Sequence, residues 1–334
     1  MVIHPYPNTF RNTCSWRTGL AETFRNRSTK LLGIYGTNLQ NPSDRICRMY
    51  CADEGKVLVQ VDQAGAEALV VAFLCKGPNN LRRLFEQKIK PHVYVAMHLF
   101  KSYWSRTGHP IVEAAVYTPI EGLRMLPGFD LLEKAIKKHD KYYFIGKKVC
   151  HASNYDMGPK TFRMTVLTDS EGRVVISHQE AVIFLETYHK LFPEIREWHN
   201  ETITILKATK VLRNLFGYPR LFTGPMQPHT FKEAFAFVPQ STIGVLGNMA
   251  FVEEQEYIEE HHKDWDLLNN KHDSTLTQCS MDEVKDCVEV KKRIVEKLLI
   301  SPYGETFQMK SEALVGKNWG KYDEVTNPEG LKEI

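Results

Sequence analysis

Two aspartates far apart in the chain constrain its fold more than any other feature. Asp62 ends the strand-like run Lys56-Val57-Leu58-Val59-Gln60-Val61-Asp62, and Asp273 lies in the polar step Lys271-His272-Asp273-Ser274. They are 273 − 62 = 211 residues apart, so only a fold that closes a long loop brings them together. Two carboxylates meeting at the ends of adjacent strands make a site for divalent cations, because hard oxygen ligands suit Mg²⁺. An isolated aspartate is more often a strand-end or turn cap, so the segments around each one decide the reading.

Valines alternate with Leu58 and Gln60 through 56–62, which predicts a strand buried on most of both faces. The alanine- and leucine-rich stretch 64–75 predicts a helix leaving the strand end, stopped by Gly77-Pro78. Further helices are expected at 79–88, 92–104, 130–155, 179–191 and 193–212. Another is expected over 230–262, interrupted or started near Pro239. The last, over 281–299, has Val284, Cys287, Val288, Ile294 and Leu298 as its apolar face. Leu215 to Leu221 reads as a turn joining short extended segments. Leu267-Leu268 and Thr275-Leu276-Thr277 flank Asp273 as the arms of a hairpin. Strands toward both ends with helices between them predict an α+β fold whose sheet is assembled from discontinuous segments.

Charged residues at 25% and hydrophobic residues at 43% of 334 describe an ordinary globular chain. There is no run of 18 apolar residues, which argues against a membrane span, and Met1 to Pro5 carries no apolar signal core. A cytoplasmic protein is the expectation. Seven cysteines without a C-x-x-C pair read as reduced thiols rather than zinc ligands or disulfides. A net charge of +3 is too small to argue for nucleic acid. Between Pro119 and Arg163, however, nine Lys/Arg stand against five acidic residues, an excess that suits phosphates as well as water. Within that stretch Tyr143, Lys147, His151 and Tyr155 recur every four residues, which sets them on one helix face. Such a stripe is poor core material and suits a triphosphate and a base.

Five segments in order carry a resemblance. Gly36-Thr37-Asn38-Leu39-Gln40-Asn41-Pro42 and the run through Asp62-Gln63-Ala64-Gly65-Ala66-Glu67 resemble the start of the palm and motif A of family A DNA polymerases. Gly146 to Tyr155 resembles the phage-type variant of the family's motif B helix, and Asn214 to Arg220 its T-L-x-G-R-x-R segment. Pro239-Gln240 resembles P-x-Q-G, and His272-Asp273-Ser274 resembles the H-D-E of motif C. The likeness runs from about Thr23 to Trp319.

The resemblance implies a right-hand polymerase: palm over 23–64 and 223–334, helical fingers over 65–222, and a lead-in over 1–22 too short for the family's thumb or exonuclease domain. It implies template-directed addition of dNMPs to a primer 3′-hydroxyl. Two Mg²⁺ ions, with Mn²⁺ as a substitute, would be held by Asp62, Asp273 and the Gln63 backbone carbonyl, and Lys147 would protonate leaving pyrophosphate. Glu67 would block a ribose 2′-hydroxyl, and Gln63, His92, Tyr143, His151 and Tyr155 would surround the dNTP. Arg25, Asn38, Gln40, Arg220, Lys232, Gln240 and His272 would meet primer-template DNA, with Asn38, Gln40 and Asn41 equally suited to ordering their loop. Three departures stand out: Tyr143 replaces an arginine, Asp156 a glycine, and Ser274 the motif C glutamate. Lys141, His139 or His92 is expected to supply the missing charge at Tyr143. The alternative is a catalytic or DNA-binding subunit of a split polymerase, inactive until a separate chain supplies the thumb, with an exonuclease chain as a further partner. A single-subunit RNA polymerase is disfavoured by Glu67. No proofreading is expected, no membrane partner, and a phage or phage-derived source would place the protein in a bacterial host's cytoplasm.

Overall fold

The computed structural model describes residues 15–17, 21–29, 38–40, 42–63, 65–271 and 273–334. The described chain opens with β1 (Ser15–Arg17) and β2 (Arg27–Thr29), paired antiparallel, then α1 (Asp44–Cys47) and β3 (Lys56–Gln63). A helical region follows: α2 (Ala66–Leu74), α3 (Asn80–Glu86), α4 (Pro91–Leu99), α5 (Lys101–Arg106), α6 (Val112–Ala115), α7 (Phe129–Lys138), α8 (Asp140–Asn154), α9 (Pro159–Asp169), α10 (His178–Leu191) and α11 (Glu194–Thr209). The hairpin β4 (Val211–Arg213) and β5 (Pro219–Leu221) leads into the long α12 (Pro228–Glu260). After it come the hairpin β6 (Asp266–Lys271) and β7 (Ser274–Ser280), α13 (Val284–Val295), the pair β8 (Leu298–Ile300) and β9 (Thr306–Gln308), β10 (Ser311–Gly316) and β11 (Lys332–Glu333).

The central sheet runs β11-β10-β3-β7-β6, antiparallel throughout. Its middle strand precedes the helical region and its other strands follow, so the long loop predicted from the two aspartates is the helical region itself. Val57, Val59 and Val61 point to one face, where Ala250 and Ile258 of α12 and Cys287, Val288 and Ile294 of α13 cover them. Leu58, Gln60 and Asp62 point to the other, by the period-two alternation of a strand. There a smaller cluster of Cys47, Leu276, Trp319 and Leu331 packs on Leu58, and Trp319 Nε1 donates to Gln60 Oε1 at 2.8 Å. Asp62 therefore lies on the face that α12 and α13 leave uncovered.

The structure corrects several sequence expectations. The helix expected over 92–104 breaks at Phe100, and that over 130–155 breaks at His139. His139 is extended, its ring accepts the Tyr142 N–H at 3.4 Å, and its Nε2 meets the Tyr103 hydroxyl at 3.0 Å, so a side-chain cap starts α8 afresh. The final helix stops at Val295, and Leu298 belongs to β8. Helix α12 instead runs through Pro239 without interruption. The flanking Phe235, Phe237, Val238, Ile243 and Leu246 are all buried, and their burial outweighs the roughly 3 kcal/mol an interior proline costs. By length and composition α12 could also cross a membrane, which the sequence reading did not anticipate, but 67% of its most apolar window is buried inside the protein. It is the core helix linking the helical region to the sheet. Six cysteines among the described residues are free thiols.

Candidate active site

Register brings the two aspartates together. Asp62 lies opposite Ser274 on β7, and the Gln63 N–H donates to the Asp273 carbonyl at 3.0 Å, so both carboxylates stand at one end of the sheet. Burial, with Asp273 and then Glu312 adding repulsion, pushes the Asp62 carboxyl up to about 7. Burial likewise raises Asp273. Asp62 Oδ1 is buried and has no hydrogen-bond partner. Like charges gathered in a dry place with an orphaned oxygen fit a bound cation better than a finished structural cap. Among the described residues no third His, Cys, Asp or Glu completes a metal-binding cluster. A hard cation here would finish its shell with backbone carbonyl, water or phosphate oxygens. The Gln63 side chain is buried, and its Oε1 also has no hydrogen-bond partner.

Helix α8 presents its polar stripe to this end of the sheet. Ile145, Gly146, Val149, Cys150 and Ala152 bury the opposite face, so Lys147 and His151 keep part of their surface in solvent while their charged ends stand among protein atoms. Burial, then the nearby Lys321 and Lys90, lowers the Lys147 ammonium, and Asp62 partly restores it. The Lys147 Nζ sits 5.5 Å from the Tyr143 ring centre. One turn further, Glu67 at the start of α2 accepts from both the Arg25 guanidinium and the Tyr155 hydroxyl. Burial opposes its charge, yet those two partners and His151 hold the carboxyl below its usual range. Arg25, Glu67, His151 and Tyr155 thus form one fixed group, with His151 Nδ1 at 3.8 Å from Glu67 and its ring edge-on to Tyr155. Gln240 on α12 hydrogen-bonds the Tyr155 hydroxyl. The three candidates for the charge expected beside Tyr143 are placed differently. His139 caps α8, Lys141 is exposed beside Tyr142, and His92 meets the Tyr143 hydroxyl at 2.9 Å but is neutral. Burial, with Lys147 and Lys90 adding to it, lowers His92 to about 3.

Other expected contacts lie elsewhere. Gln40 is buried, accepts the Ser28 N–H at 3.0 Å and reaches the Asn270 carbonyl, so of its two expected roles the contacts fit the ordering of its loop. Asn38 is exposed and accepts the Gln40 N–H at 2.9 Å. Arg220 stacks 4.3 Å from the Phe222 ring and is held by Glu22 and Glu233. Lys232 lines a separate cavity of about 400 Å³ with Asp156, His189 and Arg196. Asp156, where the family has glycine, has φ +52° and pairs with Arg196 at 2.7 Å. Ser274 is buried against the Lys271 carbonyl. His272 and Asn41 lie outside the described residues.

Two residues escaped the sequence reading. Glu312 on β10 is the cross-strand partner of Asp62 on the side away from Ser274, and Lys90 pairs with it at 3.0 Å. Only strand register could have found Glu312, and the sequence carries no local signal for it.

The known proteins similar to this chain are polymerases. No family model matches the chain. The chain is 23% identical over 318 residues to the thermostable DNA polymerase I of Thermus aquaticus, covering 91% of this chain and 33% of that protein. It is 24% identical over 165 residues to the DNA polymerase of Bacillus phage SP01, covering 46% of this chain and 18% of that protein. The chain therefore spans about a third of the length of the thermostable curated relatives it matches. Among solved structures, the POL domain of Pol1 from M. smegmatis, in complex with DNA primer-template and dNTP, superposes with a TM-score of 0.66 at 16% identity, over 92% of this chain and 48% of that one. The mixed helical and antiparallel-sheet fold is that of a polymerase domain, and the chain is a homologue of the family A, DNA polymerase I-like polymerases.

Proposed function

We propose that this chain is the palm and fingers of a template-directed DNA polymerase, adding dNMPs to a primer 3′-hydroxyl. The sheet with α12 and α13 would be the palm, over 23–64 and 223–334, and the helical region 65–222 the fingers. The observation that carries this reading is the register that sets Asp62 beside Asp273, opposite the polar stripe of α8. Asp62, Asp273 and the Gln63 carbonyl would hold two Mg²⁺ ions, and the orphaned Asp62 oxygen fits that role. Such ions lower the pKa of the primer hydroxyl and offset charge on the triphosphate and leaving pyrophosphate.

The chain's own residues do the rest. Lys147 brings positive charge to the triphosphate, and its lowered pKa makes it a readier proton donor to pyrophosphate. Glu67 is held by Arg25 and Tyr155, so it cannot swing aside for a 2′-hydroxyl; that rigidity suits a gate for deoxynucleotides. Tyr155 offers its ring near the templating position, and His151 faces the incoming sugar and base. Primer extension by the purified chain with Mg²⁺ and all four dNTPs tests the reading. Templated incorporation of the complementary dNMP is expected, and Glu67→Ala should admit rNTPs. Preference of the natural chain for rNTPs, or no extension on a primer-template it binds, would overturn it.

A further inference from the structure

Lys90 directly precedes α4, and its Nζ lies 3.0 Å from Glu312 Oε1 on β10. Glu312 is the cross-strand partner of Asp62, so this ion pair joins the helical region to the sheet beside the paired aspartates. Gly146 lets α4, which Lys90 directly precedes, pack closely on α8. A Cβ there would sit 2.4 Å from the His92 carbonyl oxygen and 3.1 Å from Ala96 Cβ, so a larger residue would push α4 off α8. The groups that α8 turns toward Lys90 are Tyr143 and Lys147, and Tyr143 is already engaged by neutral His92. Positive charge at this corner therefore comes from Lys90 and Lys147, with Lys321 near enough to depress the Lys147 ammonium. The side chains of Lys90 and Glu312 are 42% and 38% exposed, so water competes for both and the pair is readily exchanged. Lysine suits such an exchange, being a point charge on a flexible stem.

We propose that Lys90 is a second polyphosphate-binding cation, one that exchanges Glu312 for the triphosphate tail of an incoming nucleotide and acts beside Lys147. The inference rests on the polymerase reading for the nucleotide's identity, but the binding chemistry can be tested without catalysis. Calorimetric titration of inorganic tripolyphosphate, and dNTP KM and kcat in templated extension, would compare the natural chain with Lys90→Gln, Lys90→Arg and the Lys90→Gln/Tyr143→Arg double variant. Thermal unfolding midpoints verify folding. Lys90→Gln should weaken tripolyphosphate binding and raise the dNTP KM by roughly ten- to a hundredfold, with kcat little changed. Lys90→Arg should retain both, and Tyr143→Arg should restore part of the loss by putting a cation back on α8. A natural chain that extends primers while Lys90→Gln leaves KM and tripolyphosphate affinity unchanged would overturn the role of Lys90 and leave the polymerase reading standing. A natural chain that extends nothing would sink that reading first, and the tripolyphosphate titration would then decide Lys90 alone. Binding lost with Lys90→Gln supports it, whereas absent or unaltered binding overturns it.

Discussion

In the helical region four histidines, His92, His98, His189 and His199, are driven by burial to pKa values of about 3, 4, 4 and 4. At the loaded end of the sheet the same force acts on Asp62 and Asp273 and raises them, Asp62 to about 7. The histidines meet the demand by staying neutral, as His199 does against the Asn154 carbonyl at 2.8 Å. Three of these histidines also keep a buried ring nitrogen without a partner, so what sets the aspartates apart is that they repel one another. Burial is met by neutrality in one region; in the other it leaves two crowded carboxylates, the pair proposed to hold cations.

A third case in the same sheet sharpens the contrast. Behind β7, on the face away from Asp62, Lys291 and Glu254 are almost fully buried, yet Lys291 Nζ reaches Glu254 at 2.7 Å, Thr275 at 2.9 Å and Thr277 at 2.7 Å. This charged pair is internally satisfied. Lys291→Ala should cost about 3–5 kcal/mol in chemical denaturation, because it strands the Glu254 carboxylate. A loss under about 1 kcal/mol would show that buried charge in this sheet does not need a partner. Next in size is Gly146→Val, which should cost about 1–3 kcal/mol by forcing α4 from α8. Unchanged stability would mean that the two helices part freely.

The acid response follows from the histidines. Their folded pKa values lie below the usual 6.5, so the unfolded chain takes up protons that the native chain refuses. The histidines' contribution is therefore present above about pH 6.5 and falls as pH drops toward 4, by up to about 1.4 kcal/mol per pH unit for each, with the raised Asp62 and Asp273 offsetting part of it. Urea titrations at pH 7 and pH 5 should show the loss, and His98→Phe should lessen it by one histidine's share. A pH-independent midpoint would contradict the neutral-histidine account. The smallest effect is expected at Asp156→Gly. Relief of a positive φ should slightly exceed the loss of a half-exposed ion pair with Arg196, for a net gain of about 0.5 kcal/mol in thermal unfolding.

Period and composition made much of this legible. The valine alternation of β3, the stripe on α8 and the hairpin around Asp273 all follow from local patterns. What stayed hidden depends on contacts between distant segments. Phe235 to Leu246 keep α12 continuous through Pro239 because other elements bury them, and no local rule contains that information. His139 ends one helix and begins another because Tyr103 and the Tyr142 amide receive its ring. Glu312 meets Asp62 only through strand register, Lys90 meets Glu312 across the helical region and the sheet, and α4 lies close on α8 because Gly146 leaves room. Gln40 had the composition of a DNA contact and the burial of a loop anchor.

The central claim is that Asp62 and Asp273 form an unfinished charged site that serves chemistry. The most direct measurement is single-turnover templated primer extension in Mg²⁺ by the natural chain, Asp62→Asn and Asp273→Asn, with primer-template affinity and thermal midpoint recorded for each. Each substitution should slow extension by at least about a thousandfold, the several kcal/mol that metal-held carboxylates contribute. DNA affinity should be retained and the midpoint unchanged or higher, because a like-charge repulsion is removed. Extension that survives either substitution, or a collapse of folding that accounts for its loss, would contradict the claim.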